Sequence, residues 1–174
     1  DHLYLNDGKG NFSHDPEALP KMYESGSGVI ASDWDMDGDL DLFVGGRIHP
    51  GNYPLPGKSY LLRNDRGKFY DVTKEVAGTE FERMGMVTGA LWTDFNNDHQ
   101  PDLIVAGEWM PITLLSNKDG RFTNVTKTPR PHNHTGWWNS ILSGDFDHDG
   151  DTDYVVGNTG KNSPYKPQQA EPLV

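Results

Sequence analysis

The segment DWDMDGDLDLFVGG, residues 33–46, carries an aspartate at every second position from Asp33 to Asp41 and then turns abruptly apolar. Two other segments repeat the arrangement, DFNNDHQPDLIVAG at residues 94–107 and DFDHDGDTDYVVG at residues 145–157. Each places oxygen-bearing side chains at positions 1, 3, 5 and 9. So many carboxylates in one tight turn repel one another, and the turn must open, take up protons or hold a cation. A hard cation answers this best: Ca²⁺ accepts six to eight oxygens at about 2.3–2.6 Å, and alternate residues of a turn point inward to supply them, with a backbone carbonyl at position 7. A single such turn could be merely solvated, but three aligned copies point to metal, about three calcium ions in all. The middle copy is the least charged, with Asn96 at position 3 and His99 where the other two have Gly38 and Gly150.

An EF-hand would open in the same way, but it needs a carboxylate at position 12 and a helix after it. Val44, Val105 and Val156 stand there instead, within short apolar runs that end in glycine and read as buried strands. The acidic loops therefore join two strands.

The rest of the composition agrees. Of 174 residues, 26 are acidic and 15 basic, a net charge of −11, and half of the acidic residues lie in the three nine-residue loops, which contain no Lys or Arg. With no cysteine, disulfide scaffolds and thiolate metal sites are excluded. The 20 Gly and 12 Pro favour a turn-rich, all-β chain over a helical bundle. No apolar run approaches the roughly 18 residues of a membrane span, so direct membrane insertion is not expected. The sequence has no phosphate-cradling glycine loop, nucleophile elbow or basic stripe, which leaves nucleotide chemistry and nucleic-acid binding unsupported. It opens at Asp1 rather than Met and reads as a processed chain or, preferably, a piece of a longer one.

A second signal keeps the same beat. LYLNDGKGNF (3–12), LLRNDRGKF (61–69) and LLSNKDGRF (114–122) each set Asn and Gly between two β-like runs, the mark of hairpin turns. Combining the two signals gives four strands per unit, near 29–32, 40–45, 60–64 and 69–73, then 87–93, 103–106, 112–117 and 122–126. The starts of the acidic loops, Asp33, Asp94 and Asp145, are spaced as propeller blades would be. The expected architecture is an all-β propeller fragment of four-stranded antiparallel blades with calcium loops in the inner hairpins. It begins with the outer strands of one blade (1–14), contains two full blades (27–74 and 86–127), and ends with the inner strands of a fourth (138–158). Closed propellers need about four blades or more, so further blades from the same or another chain are expected partners.

D-x-D-x-D-G-D-x-D followed by L-x-x-G, alternating with L-x-x-N-x-x-G-x-F, resembles the FG-GAP/VCBS repeat of integrin-α-like β-propellers. Within that group the chain is most similar to bacterial proteins related to cartilage acidic protein, which carry an ASPIC/UnbV tail. The resemblance implies a calcium-stabilised propeller, commonly seven-bladed, on a secreted, periplasmic or cell-surface protein. It implies calcium ligation by Asp33, Asp35, Asp37, Asp39 and Asp41, by Asp94, Asn96, Asp98, Gln100 and Asp102, and by Asp145, Asp147, Asp149, Asp151 and Asp153. Asp39, Gln100 and Asp151 would act through their carbonyls.

In an up-and-down blade the acidic loops and the Asn-Gly turns share one face. The other face is then built from residues 46–58, 74–86, 107–111, 127–136 and 158 onward, expected to be irregular loops. These, with the two tryptophans that follow residue 136, hold the candidate contacts for a protein or glycan partner: Arg47, Glu108, Trp109, His132, His134, Trp137 and Trp138. Trp137 and Trp138 read first as packing between blades, then as partner contacts. His132 and His134 form an H-x-H without a third metal ligand nearby, so a solvated loop is preferred. Glu108 beside Trp109 could contact carbohydrate, but a glycosidase needs two carboxyl groups at a set separation. The expected role is a non-catalytic binding scaffold; the rival is a propeller lyase or hydrolase with its site on this second face.

Overall fold

A computed structural model describes residues 1–126 and 135–160. Among them are twelve strands: β1 (Leu3–Asn6), β2 (Phe12–Asp15), β3 (Ser25–Ser32), β4 (Asp41–Ile48), β5 (Tyr60–Asp65), β6 (Lys68–Asp71), β7 (Met86–Thr93), β8 (Asp102–Met110), β9 (Thr113–Lys118), β10 (Arg121–Asn124), β11 (Gly136–Gly144) and β12 (Asp153–Asn158). All pairings are antiparallel. The fold is all-β. β3-β4-β5-β6 form one four-stranded blade and β7-β8-β9-β10 a second, flanked by the hairpins β1-β2 and β11-β12. No helix among the described residues is long and apolar enough to cross a membrane.

The hairpin turns follow from sequence. Asp65 pairs with Lys68 and Lys118 with Arg121, which leaves two-residue loops at Arg66-Gly67 and Asp119-Gly120. All four of these residues have positive φ. That is the turn whose twist matches a right-handed hairpin, and glycine at its second place carries no steric cost.

Strand alternation divides the apolar residues between two layers. Phe43 of β4 and Leu61 of β5 join Trp34, Val87, Leu103, Val105, Leu115 and Phe122 in a core between the two full blades. Val44, Tyr60, Leu62 and Phe69 face the other way and pack with Leu3, Leu19 and Met22 of the N-terminal segment. The core therefore lies between blades, and each blade depends on its neighbour. The inner strands come close enough that a Cβ on Gly45 would stand 2.7 Å from the Val87 side chain.

The second face departs from the sequence expectation. Residues 107–111 are not a loop, because β8 runs on through Met110. There it gains a new neighbour: Met110 pairs with Gly136 and Glu108 with Trp137 of β11, while Glu108 also pairs with Met86 of β7. Trp137 and Trp138 both lie within β11. Residues 74–86, expected to be irregular, include a helical turn α1 (Thr73–Ala77) and a 3₁₀ turn at Phe81–Arg83. Phe81 meets Phe43 edge-on at 6.0 Å, so this segment forms a lid on the core.

Candidate metal centre

The three acidic loops share one backbone path. Positive φ recurs at position 4, with 63° at Met36, 59° at Asn97 and 64° at His148, and again at position 6, with 102° at Gly38, 68° at His99 and 96° at Gly150. The position-6 N–H turns inward and donates to the first aspartate: Gly38 to Asp33 at 3.1 Å, His99 to Asp94 at 2.8 Å, Gly150 to Asp145 at 3.2 Å. His99 thus takes the glycine-like conformation, its side chain 95% exposed with Nδ1 3.9 Å from the Asp94 carboxylate. The left-handed region costs a side-chain-bearing residue about 1–2 kcal/mol, partly offset because glycine loses more freedom on folding, by about 0.5–1 kcal/mol. His99→Gly is therefore expected to stabilise the protein by about 0.5 kcal/mol, seen as a higher melting temperature.

The first two acidic loops bond directly to the hairpin turns of their own blade, so loop and turn lie on one face. Asp41 Oδ1 accepts from the Asn64 N–H and Asp102 Oδ1 from the Asn117 N–H, each at 2.8 Å. At position 7, Asp39 Oδ2 accepts from the Arg66 N–H, and Gln100 Oε1 from the Asp119 N–H. Both side chains are turned toward the hairpin, which suits the carbonyl role that the resemblance gives these residues.

One carboxylate oxygen each from Asp33, Asp35 and Asp37 lies within 4.8 Å of the others, as does one each from Asp145, Asp147 and Asp149. The middle loop has only Asp94 and Asp98 as acids at these positions, with the neutral Asn96 between them. In the first loop Asp35 Oδ1, Asp39 Oδ1 and Asp41 Oδ2 are buried without a hydrogen-bond partner. A buried carboxylate oxygen left unpaired is costly, and a cation held by the Asp35 and Asp41 carboxylates would satisfy those two. The residues therefore fit a hard divalent metal. Charge distribution says the same: burial lifts the Asp41 carboxyl to about 6, opposed by the Asn64 N–H and reinforced by the negative charge of Asp35. Burial also raises Asp35 and Asp102, while Asp151 is raised chiefly by the charge of Asp149.

These shifts set the pH response of the metal-free protein. Between roughly pH 4, where Asp ionises in an unfolded chain, and about 6, folded Asp41 holds a proton that the unfolded chain has released. Stability therefore rises as pH falls through that window, and the penalty is complete above it. Asp7 and Asp71, whose carboxyls are lowered, oppose this only below about pH 4. With calcium bound the sign reverses, because protons then compete with the ion. Thermal melts between about pH 7 and 5, in chelator and in calcium, are expected to move in opposite directions.

On the other face, Glu108 is buried and accepts from both Nε and Nη2 of Arg47, which is itself half exposed. The pair ties β4 to β8, a role the sequence did not reveal. Trp109 has φ 60°, donates its indole N–H to Tyr53 at 3.0 Å, and lies 5.4 Å from the Trp137 ring. The Trp138 carbonyl accepts from Thr88 Oγ1 at 2.7 Å, a contact between blades. His132 and His134 lie outside the described residues.

A profile of the FG-GAP-like repeat matches residues 1–44 and 94–156, more than half of the chain, and these segments include all three acidic loops. No curated protein matches the sequence. The recurrent loop, the hairpin turn bonded to it and the repeat match agree, and the chain belongs to the FG-GAP-like repeat family.

Proposed function

We propose that the chain is a calcium-binding β-propeller module of a secreted, periplasmic or cell-surface protein, and a non-catalytic scaffold for a protein or glycan partner. The observation that carries the calcium reading is the pair of buried, unpartnered carboxylate oxygens on Asp35 and Asp41. Asp33, Asp35, Asp37, Asp41 and the Asp39 carbonyl would hold the first ion. The corresponding residues at 94–102 and 145–153 would hold two more. The metal supplies positive charge where the fold has concentrated negative charge, and so fixes the inner hairpin of each blade. Extracellular modules of this kind bind calcium at about 10⁻⁴–10⁻³ M, which suits a calcium-rich exterior.

We place the partner on the opposite face, where Tyr53, Trp109 and Trp137 form an aromatic cluster. Aromatic side chains on a rigid sheet offer large contact area at low entropic cost. Glu108 is held by Arg47, which favours a positioning role over an acid–base one. Calorimetric titration of chelator-stripped protein with calcium tests the metal reading: uptake of about three ions is expected, and uptake of none overturns it.

A further inference from the structure

Asn117 stands at the start of the second hairpin turn, fully buried, and sequence reading gives it only a turn-forming role. Its surroundings go further. Its backbone N–H donates to Asp102, the last acid of its own blade's loop. Its side-chain amide donates to the Pro101 carbonyl at 3.1 Å and to the Trp34 carbonyl at 2.8 Å. Trp34 lies between Asp33 and Asp35, in the acidic loop of the preceding blade. Both amide donors are thus committed to carbonyls of two different loops, while the buried Oδ1 has no partner. The same turn packs on the earlier loop again: a Cβ on Gly120 would touch Asp35 and the Trp34 ring at 3.5 Å, and Trp34 meets Phe122 edge-on at 5.5 Å.

Asn64, the equivalent residue one blade earlier, provides a comparison within the chain. It donates to Asp41 and to the Leu40 carbonyl of its own loop, and its Oδ1 accepts from the Gly67 N–H. These bonds reach one acidic loop, where those of Asn117 reach two.

We propose that Asn117 is a positioning residue that couples the metal loops of adjacent blades, so that loops 33–41 and 94–102 fill cooperatively. This rests on the calcium reading above. A cation at 33–41 fixes the peptide between Asp33 and Asp35, and with it the Trp34 carbonyl. That carbonyl orients Asn117, which in turn orients Asp102. Nearest-neighbour coupling of this kind is what stacked repeats produce, and by linkage each loop raises the other's affinity by the same factor, about tenfold. It gives the middle loop, with fewer charges, a way to draw on the more highly charged loop beside it.

The test is calorimetric calcium titration of the whole chain with the third loop silenced by Asp145→Asn and Asp149→Asn. Two ions are expected to bind with positive cooperativity. Adding Asp33→Asn and Asp37→Asn, the equivalent pair in loop 33–41, disables that loop and lowers the affinity of loop 94–102 about tenfold. In an Asn117→Ala background, checked for folding by circular dichroism, the same pair no longer changes that affinity, whereas in an Asn64→Ala background it still does. A purely structural role would weaken all sites without removing this dependence. The Asp33→Asn and Asp37→Asn comparison leaves Asn117 intact and by itself decides whether the loops are coupled; should Asn117→Ala fail to fold, Asn117→Ser, too short to reach the Trp34 carbonyl, decides whether Asn117 carries the coupling. Two ions binding independently, within about twofold, overturn the coupling and leave the calcium reading standing; no calcium uptake by the unsubstituted chain overturns both.

Discussion

Saturating calcium is expected to raise the melting temperature of chelator-stripped protein by roughly 15–30 °C. A ligand that binds only the folded state at a hundred times its Kd stabilises by about 2.7 kcal/mol per site, so three loops supply about 8 kcal/mol. A domain of this size shifts by about 2–4 °C per kcal/mol. The effect is large because the metal-free fold carries a strain that the ion removes: buried oxygens on Asp35 and Asp41 without partners, and an Asp41 carboxyl pushed to about 6. Magnesium is expected to give a small part of the shift, since it demands octahedral geometry and keeps its waters. Sodium chloride at matched ionic strength separates specific binding from screening. A melt that moves equally with all three salts would reduce the loops to solvated acidic turns.

The local features of this fold could be read from sequence because each obeys a short-range rule. The spacing of Asp33 to Asp41 gives an inward-facing turn, and the valine at position 12 excludes an exiting helix. The glycines of the Asn-Gly turns match the positive φ observed there. What could not be read depends on contacts far apart in the chain. Glu108 looks like a surface acid beside a tryptophan until Arg47, 61 residues earlier, covers it. Asn117 looks like any turn asparagine until its amide reaches Trp34, 83 residues away. The extension of β8 to Met110 was hidden because Gly107 and Pro111 are loop-forming by composition, while pairing to Gly136 and Trp137 satisfies the backbone there. His99 posed the opposite problem. By residue type it departs from the repeat, yet it is held at φ 68° by the same inward N–H bond that the glycines make.

Arg47→Met is expected to cost about 3 kcal/mol, lowering the melting temperature by roughly 6–12 °C. The Glu108 side chain is 1% exposed and Arg47 is its ion-pair partner, with two nitrogens on one carboxylate oxygen. Methionine keeps most of the aliphatic stem but removes the charge, which leaves a carboxylate buried beside β7 and β11. The figure sits at the lower end of the range for broken buried pairs because Arg47 is itself 46% exposed, so water can enter where the guanidinium was. The cost comes from stranding the partner rather than from the attraction itself. Replacing both residues, Arg47→Met with Glu108→Leu, is therefore expected to recover most of the loss. Unfolding of the two single variants and the double variant closes the cycle. If the double variant is as unstable as Arg47→Met alone, the pair does not act as a charge clamp, and the link between β4 and β8 must come from packing around Val87 and Met110.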